Sequence, residues 1–257
     1  MQAEIGEIFE IAAADRRHGA SEIEETLVRD LLAARSQWQP DALRVGSKHL
    51  ADGHPVMGNL RALAERAGAG DPDSFAIWLE HRLDVLQTLP ARLAESSWPR
   101  VEIATRIVTL SRSAAVAAVV EGAWRRGWPG SVVVLDDGSS GCGKDQALRL
   151  AEFGEAASHP GASASAWLEG SGVLVLAGAD AVGPSRFFNA FGTRTLFELA
   201  GARGIARGVV ADTGKDVSEE VLNDIEKHLS RFRDAGDRTR SIFEAVPLDL
   251  VSFRVTE

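Results

Sequence analysis

The chain has 257 residues, 45% of them hydrophobic and 25% charged, which is enough apolar material to fill the core of one large domain or two smaller ones. Its formal net charge of −9 argues against general binding to nucleic acid or to an anionic membrane surface, since both require basic residues to neutralise phosphate. A single cysteine, Cys142, excludes an intrachain disulfide and a cysteine-based zinc site, and no metal or cofactor is expected.

Glu4, Glu7 and Glu10 stand where a signal or transit peptide would carry basic or apolar residues, and no apolar run approaches the ~20 residues of a membrane span, so the cytoplasm is the expected compartment. Residues 1–98 read as a helical N-terminal domain, because apolar residues recur three and four apart. Ser21 with Glu24 has the spacing of a capping box ahead of Ile23, Leu27, Leu31 and Leu32. Pro55 fits the first position of a second helix carrying Val56, Asn59, Leu60, Leu63 and Ala67, closed by Gly68 and Gly70. A third follows Asp71-Pro72, with Phe75, Trp78, Leu79, Leu83 and Leu86 on one face as core.

Beyond Ser96-Ser97-Trp98-Pro99 the pattern changes to short β-branched runs alternating with helical segments, so 99–257 reads as an α/β domain built on a mostly parallel sheet. The expected strands are Arg106–Leu110, Ser131–Leu135, Ala164–Leu168, Val173–Ala177, Gly208–Asp212 and Leu250–Val255. Glu219–Arg233 reads as a charged helix with a solvated face.

Two places carry chemistry. The apolar run Val173–Ala177 reaches a carboxylate, Asp180, just past its end, and Asn189 and Gly192-Thr193 then open a helical pattern. A helix start of that kind binds phosphate through its free N–H groups, and Asp180 would share the crevice at the carboxyl edge of the sheet. The alternative is a turn aspartate and a simple N-cap threonine. The second place is Gly138 to Lys144, which satisfies G-x-x-x-x-G-K between a strand and a helix. Asp145 occupies the position where a nucleotide hydrolase needs a hydroxyl for Mg²⁺, which favours at most a phosphate nest including Gly143 and Lys144. Cys142 reads either as a reactive thiol at that helix start or as a small turn residue.

Several separated segments resemble the family that contains the translation initiation factor 2B alpha, beta and delta subunits, methylthioribose-1-phosphate isomerase and ribose-1,5-bisphosphate isomerase. In chain order they are Asp15 to Ser21, His54 to Asn59, Ile107 to Ser113, Asp136 to Lys144, Gly178-Ala179-Asp180 with Asn189 and Gly192-Thr193, Lys215, and Phe243-Glu244 through Pro247, Leu250, Thr256 and Glu257. The resemblance implies a helical N-terminal part followed by a Rossmann-like, mostly parallel sheet with helices on both faces. It implies a pocket for a sugar phosphate or a nucleoside monophosphate, with His18, Gly19, His54, Ser111, Arg112, Ser113, Gly143, Lys144, Asn189, Gly192, Thr193 and Lys215 as binding residues and Asp180 as acid/base if the protein is active.

The departures from the family bear on mechanism. Its isomerases carry a catalytic cysteine where this chain has Ser111, and a hydroxyl is far less acidic than a thiol. Gly138, Cys142 and Ala190 stand where the family has Arg, Gln and Lys, which removes two charge-assisted anion contacts. The expected protein is thus a regulatory, non-catalytic binder that forms a homodimer or higher oligomer. An altered aldose-ketose isomerase and a P-loop-like nucleotide hydrolase are the alternatives.

Overall fold

The computed structural model describes residues 4–136, 141–234 and 242–257. The chain forms two compact units, Met1–Leu89 and Pro90–Glu257.

The first unit is helical: α1 (Ile5–Ala14), α2 (Ala20–Ala33), α3 (Pro40–Gly53), α4 (Gly58–Gly68) and the leading part of α5 (Pro72–Val101). Each helix buries the stripe that its 3.6-residue period puts on one side: Ile5, Ile8, Phe9 and Ala12 on α1, Ile23, Leu27, Val28 and Leu31 on α2, Leu60, Leu63 and Ala67 on α4. Helices α1 and α3 lie unusually close. A Cβ at Gly46 would sit 2.2 Å from the fully buried Phe9 ring, so only glycine allows the two backbones to approach.

Two helix starts differ from the sequence pattern. Gly19, not Ser21, is the N-cap of α2, and the Glu22 carboxylate accepts its N–H at 2.9 Å. Glu24 instead turns inward, because a buried guanidinium awaits it: Arg82 donates from Nε at 2.6 Å and from a terminal nitrogen at 2.8 Å, while Asn59 adds a third bond at 2.7 Å. Helix α4 begins at Gly58 rather than at Pro55, which lies in the preceding turn. Helix α5 carries Pro90 and Pro99 inside it, so the unit division and the change of sequence pattern both fall on prolines of one helix.

The second unit is built on a six-stranded parallel sheet with the order β3-β2-β1-β4-β7-β9. Its strands are β1 (Arg106–Leu110), β2 (Ser131–Asp136), β3 (Ala156–Pro160), β4 (Val173–Ala177), β7 (Ala206–Val210) and β9 (Phe253–Val255). A small antiparallel sheet, order β5-β6-β8, comprises β5 (Ala181–Val182), β6 (Arg186–Ala190) and β8 (Phe243–Pro247). The helices are α6 (Ala114–Arg125), α7 (Cys142–Leu150), the short α8 (Ala164–Trp167), α9 (Thr193–Gly201) and α10 (Glu219–Asp234).

Alternate residues of the central strands face opposite layers. Val108, Leu110, Val175, Ala177 and Val209 pack with Leu196, Phe197 and Ala200 of α9, whereas Ile107, Val132 and Val134 are buried on the other side. Central strands covered on both faces read as continuous apolar runs, which is why β1, β2 and β4 are plain in the sequence. The edge strand is not. The run Ala164–Leu168, expected as a strand, is α8 and its C-cap, and the edge position belongs to Ala156–Pro160. That strand is half exposed, pairs with β2 through its backbone, and tolerates Pro160 because its outer side needs no ladder N–H. At the other edge Leu248–Leu250 is a 3₁₀ turn, and only Phe253–Val255 pairs with β7.

Candidate functional site

Strand β1 lies between β2 and β4, so the winding direction reverses beside it, and the carboxyl edge between β1 and β4 is where a parallel sheet of this kind takes its ligands. The residues ending those two strands are Ser111 to Ser113 and Gly178 to Asp180. Ser111 has φ 59, a left-handed conformation that costs a non-glycine residue about 1–3 kcal/mol. Its N–H donates to Leu135 O at 2.8 Å, which extends the β1–β2 ladder by one bond, and its left-handed φ turns the chain from β1 towards α6. Ser113 is the N-cap of α6, its Oγ accepting the Val116 N–H at 3.2 Å. Arg112 between them is partly buried.

The two strand ends interlock. A Cβ at Gly178 would lie 2.3 Å from Ser113 Oγ, so the glycine is what lets the end of β4 close on the α6 cap. Gly178→Ala should therefore lower stability by about 1–3 kcal/mol through overpacking. Adding Ser113→Gly removes the clashing atoms and costs only a few tenths of a kcal/mol as a cap, so the double variant should recover most of the loss in denaturant titrations.

Helix α7 starts at the same edge, following β2. A Cβ at Gly143 would meet Leu135 O at 2.8 Å, so its first turn is pressed against the strand end, and Gln146 ties it to α6 by donating to Ser113 O at 3.1 Å. Gly141 caps it at φ 69, Cys142 is partly exposed and Lys144 is exposed. Asp137 to Ser140, the middle of the G-x-x-x-x-G-K segment, lie outside the described residues.

Beyond β4 the backbone N–H of Asp180 donates to Phe188 O at 2.8 Å, which holds the strand end to β6. Asp180 is partly exposed as a residue, but burial of its carboxyl group raises its pKa to about 6, with the positive charge of Lys215 pulling the other way. Lys215 is itself buried, and its ammonium donates to Ala179 O at 2.7 Å. The positive charge that acts on Asp180 is thus held at the end of β4 by a residue that follows β7.

The start of α9 differs from expectation. Gly192 has φ 102, and its N–H and that of Arg194 both donate to Glu244 Oε1, at 2.7 and 2.9 Å. The anion cradle expected there is filled by the protein's own carboxylate, delivered by β8, whose Glu244 pairs across the ladder with Asn189. The side chains of Asn189 and Thr193 are also engaged: Asn189 Nδ2 donates to Thr193 Oγ1 at 3.0 Å, and that hydroxyl donates to Ala190 O at 2.7 Å. They brace the joint between β6 and α9. In the sequence Glu244 enters only through the resemblance carried by Phe243-Glu244. No local signal tied it to a glycine some fifty residues earlier.

His18, Gly19 and His54 belong to the helical unit. His18 is exposed, with Nδ1 on the Asp15 carboxylate at 2.7 Å. Gly19 caps α2 as described. His54 is buried, Nε2–H donates to Ala12 O at 2.7 Å, and burial holds its pKa below the usual histidine range, so the ring is neutral at pH 7. Among the described residues, no group of three or more His, Cys, Asp or Glu is arranged to hold a metal ion, and no helix is long and apolar enough to cross a membrane.

No family model matches the sequence, and no curated protein matches it either. Solved structures do match. The translation initiation factor eIF-2B of Pyrococcus horikoshii OT3 superposes with a TM-score of 0.77 at 19% identity, covering 98% of this chain and 94% of that one. This chain has the eIF-2B subunit fold. The eIF2B delta of Chaetomium thermophilum gives 0.76 at 14% identity over 98% and 96% of the two chains. A chain of the tetrameric eIF2B-beta2-delta2 complex of the same organism gives 0.77 at 17% identity over 98% and 90%. The likeness extends over both units, so the helical unit and the α/β unit are each accounted for by one known architecture.

Proposed function

We propose that the chain is an eIF-2B-like regulatory protein that binds a small phosphorylated ligand, a sugar phosphate or a nucleoside monophosphate, at the carboxyl edge of its parallel sheet, and that it acts by binding rather than turnover. The observation that carries this reading is the carboxyl edge between β1 and β4, where a left-handed serine, the α6 cap, Asp180 and Lys215 lie at neighbouring strand ends. Anion contacts would come from the starts of α6 and α7, because the start of α9 is closed by Glu244. Ser111 supports the non-catalytic reading, since the isomerases that the sequence resembles use a thiol at that strand end. The protein would work in the cytoplasm as a homodimer or larger assembly, in keeping with the oligomeric complex of its Chaetomium thermophilum neighbour.

A second reading rests on Asp180. A carboxyl group with a pKa about 6 exchanges protons readily near neutral pH, which an aldose-ketose isomerase needs.

A thermal-shift panel of ribose 1,5-bisphosphate, methylthioribose 1-phosphate and nucleoside monophosphates separates these readings. Specific binding at a hundred times Kd stabilises the native state by about 2.7 kcal/mol and raises Tm accordingly. A ligand that shifts Tm and is recovered unchanged by NMR supports the regulatory protein; conversion abolished by Asp180→Asn supports the isomerase. No shift with any member, together with a monomer in sedimentation, would sink both.

A further inference from the structure

Lys215 sits in the short turn Thr213–Lys215 that follows β7, and this turn is anchored from several sides. Asp212, buried at its start, accepts the Gly214 N–H on Oδ1 at 3.0 Å. On the far side, Asp216 forms a β-bridge with Val182 and an ion pair with Arg254 at 2.5 Å, and Val217 N–H donates to Val182 O at 2.8 Å. The first residue of the turn is held by Glu257. Both of its carboxylate oxygens accept the Thr213 N–H, at 3.2 and 3.1 Å, and one also accepts the Thr213 hydroxyl. One side chain thus holds both donors of one residue, the Thr213 N–H shared between its two oxygens and the Thr213 hydroxyl. These bonds fix the backbone two residues before a buried ammonium.

We propose that Glu257 is a positioning residue for the Lys215–Asp180 pair: by clamping Thr213 it holds the Lys215 ammonium on Ala179 O, beside the Asp180 carboxylate. This rests on Asp180 and Lys215 forming the working part of the proposed site and assigns a role to a side chain outside it. The charged groups around the turn are Asp180, Asp212, Asp216, Arg254 and Glu257. Two physical effects of Glu257 then have opposite sign. Its negative charge alone disfavours ionisation of Asp180, so deleting the charge lowers the Asp180 pKa. Its clamp keeps Lys215 close, so losing the clamp raises that pKa.

The test follows the Asp180 carboxyl carbon by NMR through a pH titration of the full chain. Lys215→Met should raise the midpoint by about one pH unit or more. Glu257→Ala should raise it by less, in the same direction, whereas Glu257→Gln, which keeps an acceptor for Thr213, should not raise it. In the double variant Lys215→Met, Glu257→Ala the midpoint should not rise above that of Lys215→Met alone, because with no ammonium to position the clamp has nothing to act through and only the loss of the Glu257 charge remains. A midpoint that stays or falls in Glu257→Ala, with only Tm reduced, would show a purely structural role and overturn the proposal. If Glu257→Ala does not fold, Thr213→Val removes only the hydroxyl contact and should give the same direction of change. Since no ligand is present in this titration, its failure is distinct from failure of the ligand panel.

Discussion

Arg82→Ala should lower the unfolding free energy by about 3–5 kcal/mol, the largest loss expected from any single surface-to-core charge in the chain. Arg82 and Glu24 are 8% and 1% exposed at the side chain, and they meet in a two-bond fork at 2.6 and 2.8 Å. Removing the guanidinium strands a carboxylate that retains only the Asn59 amide as a donor. Lysine cannot restore the fork, because an ammonium is a point charge with no planar pair of donors, so Arg82→Lys should recover only part of the loss. The internal control is the exposed pair Arg29–Glu25 on the same unit, whose disruption should cost within about 1 kcal/mol. Urea titrations of the three variants decide the point. An Arg82→Ala loss no larger than that of the surface pair would mean that the buried charges are solvated in the folded state.

Asp180→Asn should do the reverse and stabilise the protein, by about 1–3 kcal/mol at pH 7.5 once solvent screening at a partly exposed site is allowed for. The sign follows from the raised pKa of about 6. Between the ordinary carboxyl range and pH 6 the folded state retains a proton that the unfolded chain has released, so stability falls as pH rises through this window and stays low above it. Asparagine mimics the protonated acid. The variant and the parent should therefore be equally stable near pH 4 and diverge as the pH climbs. His54 titrates in the opposite sense: its folded pKa is depressed, so its contribution is intact above the unfolded value and is lost as pH falls through it. Comparing the two proteins at each pH cancels that contribution. Equal stability at pH 7.5 would mean that Lys215 fully compensates the buried charge, and the proton-exchange argument for Asp180 would go with it.

Much of this protein is decided locally. The helical stripes of Leu27, Leu63 and Leu79, the apolar runs of β1, β2 and β4, and the Gly178-Ala179-Asp180 strand end all follow from side-chain period and turn chemistry, which act over a few residues and are legible in the sequence. The resemblance carried by those segments also anticipated the architecture that the solved eIF-2B structures share.

What the sequence could not disclose are pairings across long stretches of chain. Glu24 has the spacing of a capping residue, yet it is buried on Arg82, because the desolvation of either charge alone makes their meeting obligatory once both helices pack. Ala156–Pro160 has no strand pattern, and becomes one because β2 offers it a free edge. The start of α9 has the features of a phosphate cradle, but Glu244 fills it from another strand. Periodicity thus determined the apolar stripes of α2, α4 and α5 and the central strands β1, β2 and β4 on its own, and the resemblance implied their layering. Only the tertiary structure decided which charges meet, since a carboxylate's partner is selected by proximity in the folded chain and by the cost of leaving buried charges and N–H groups unpaired.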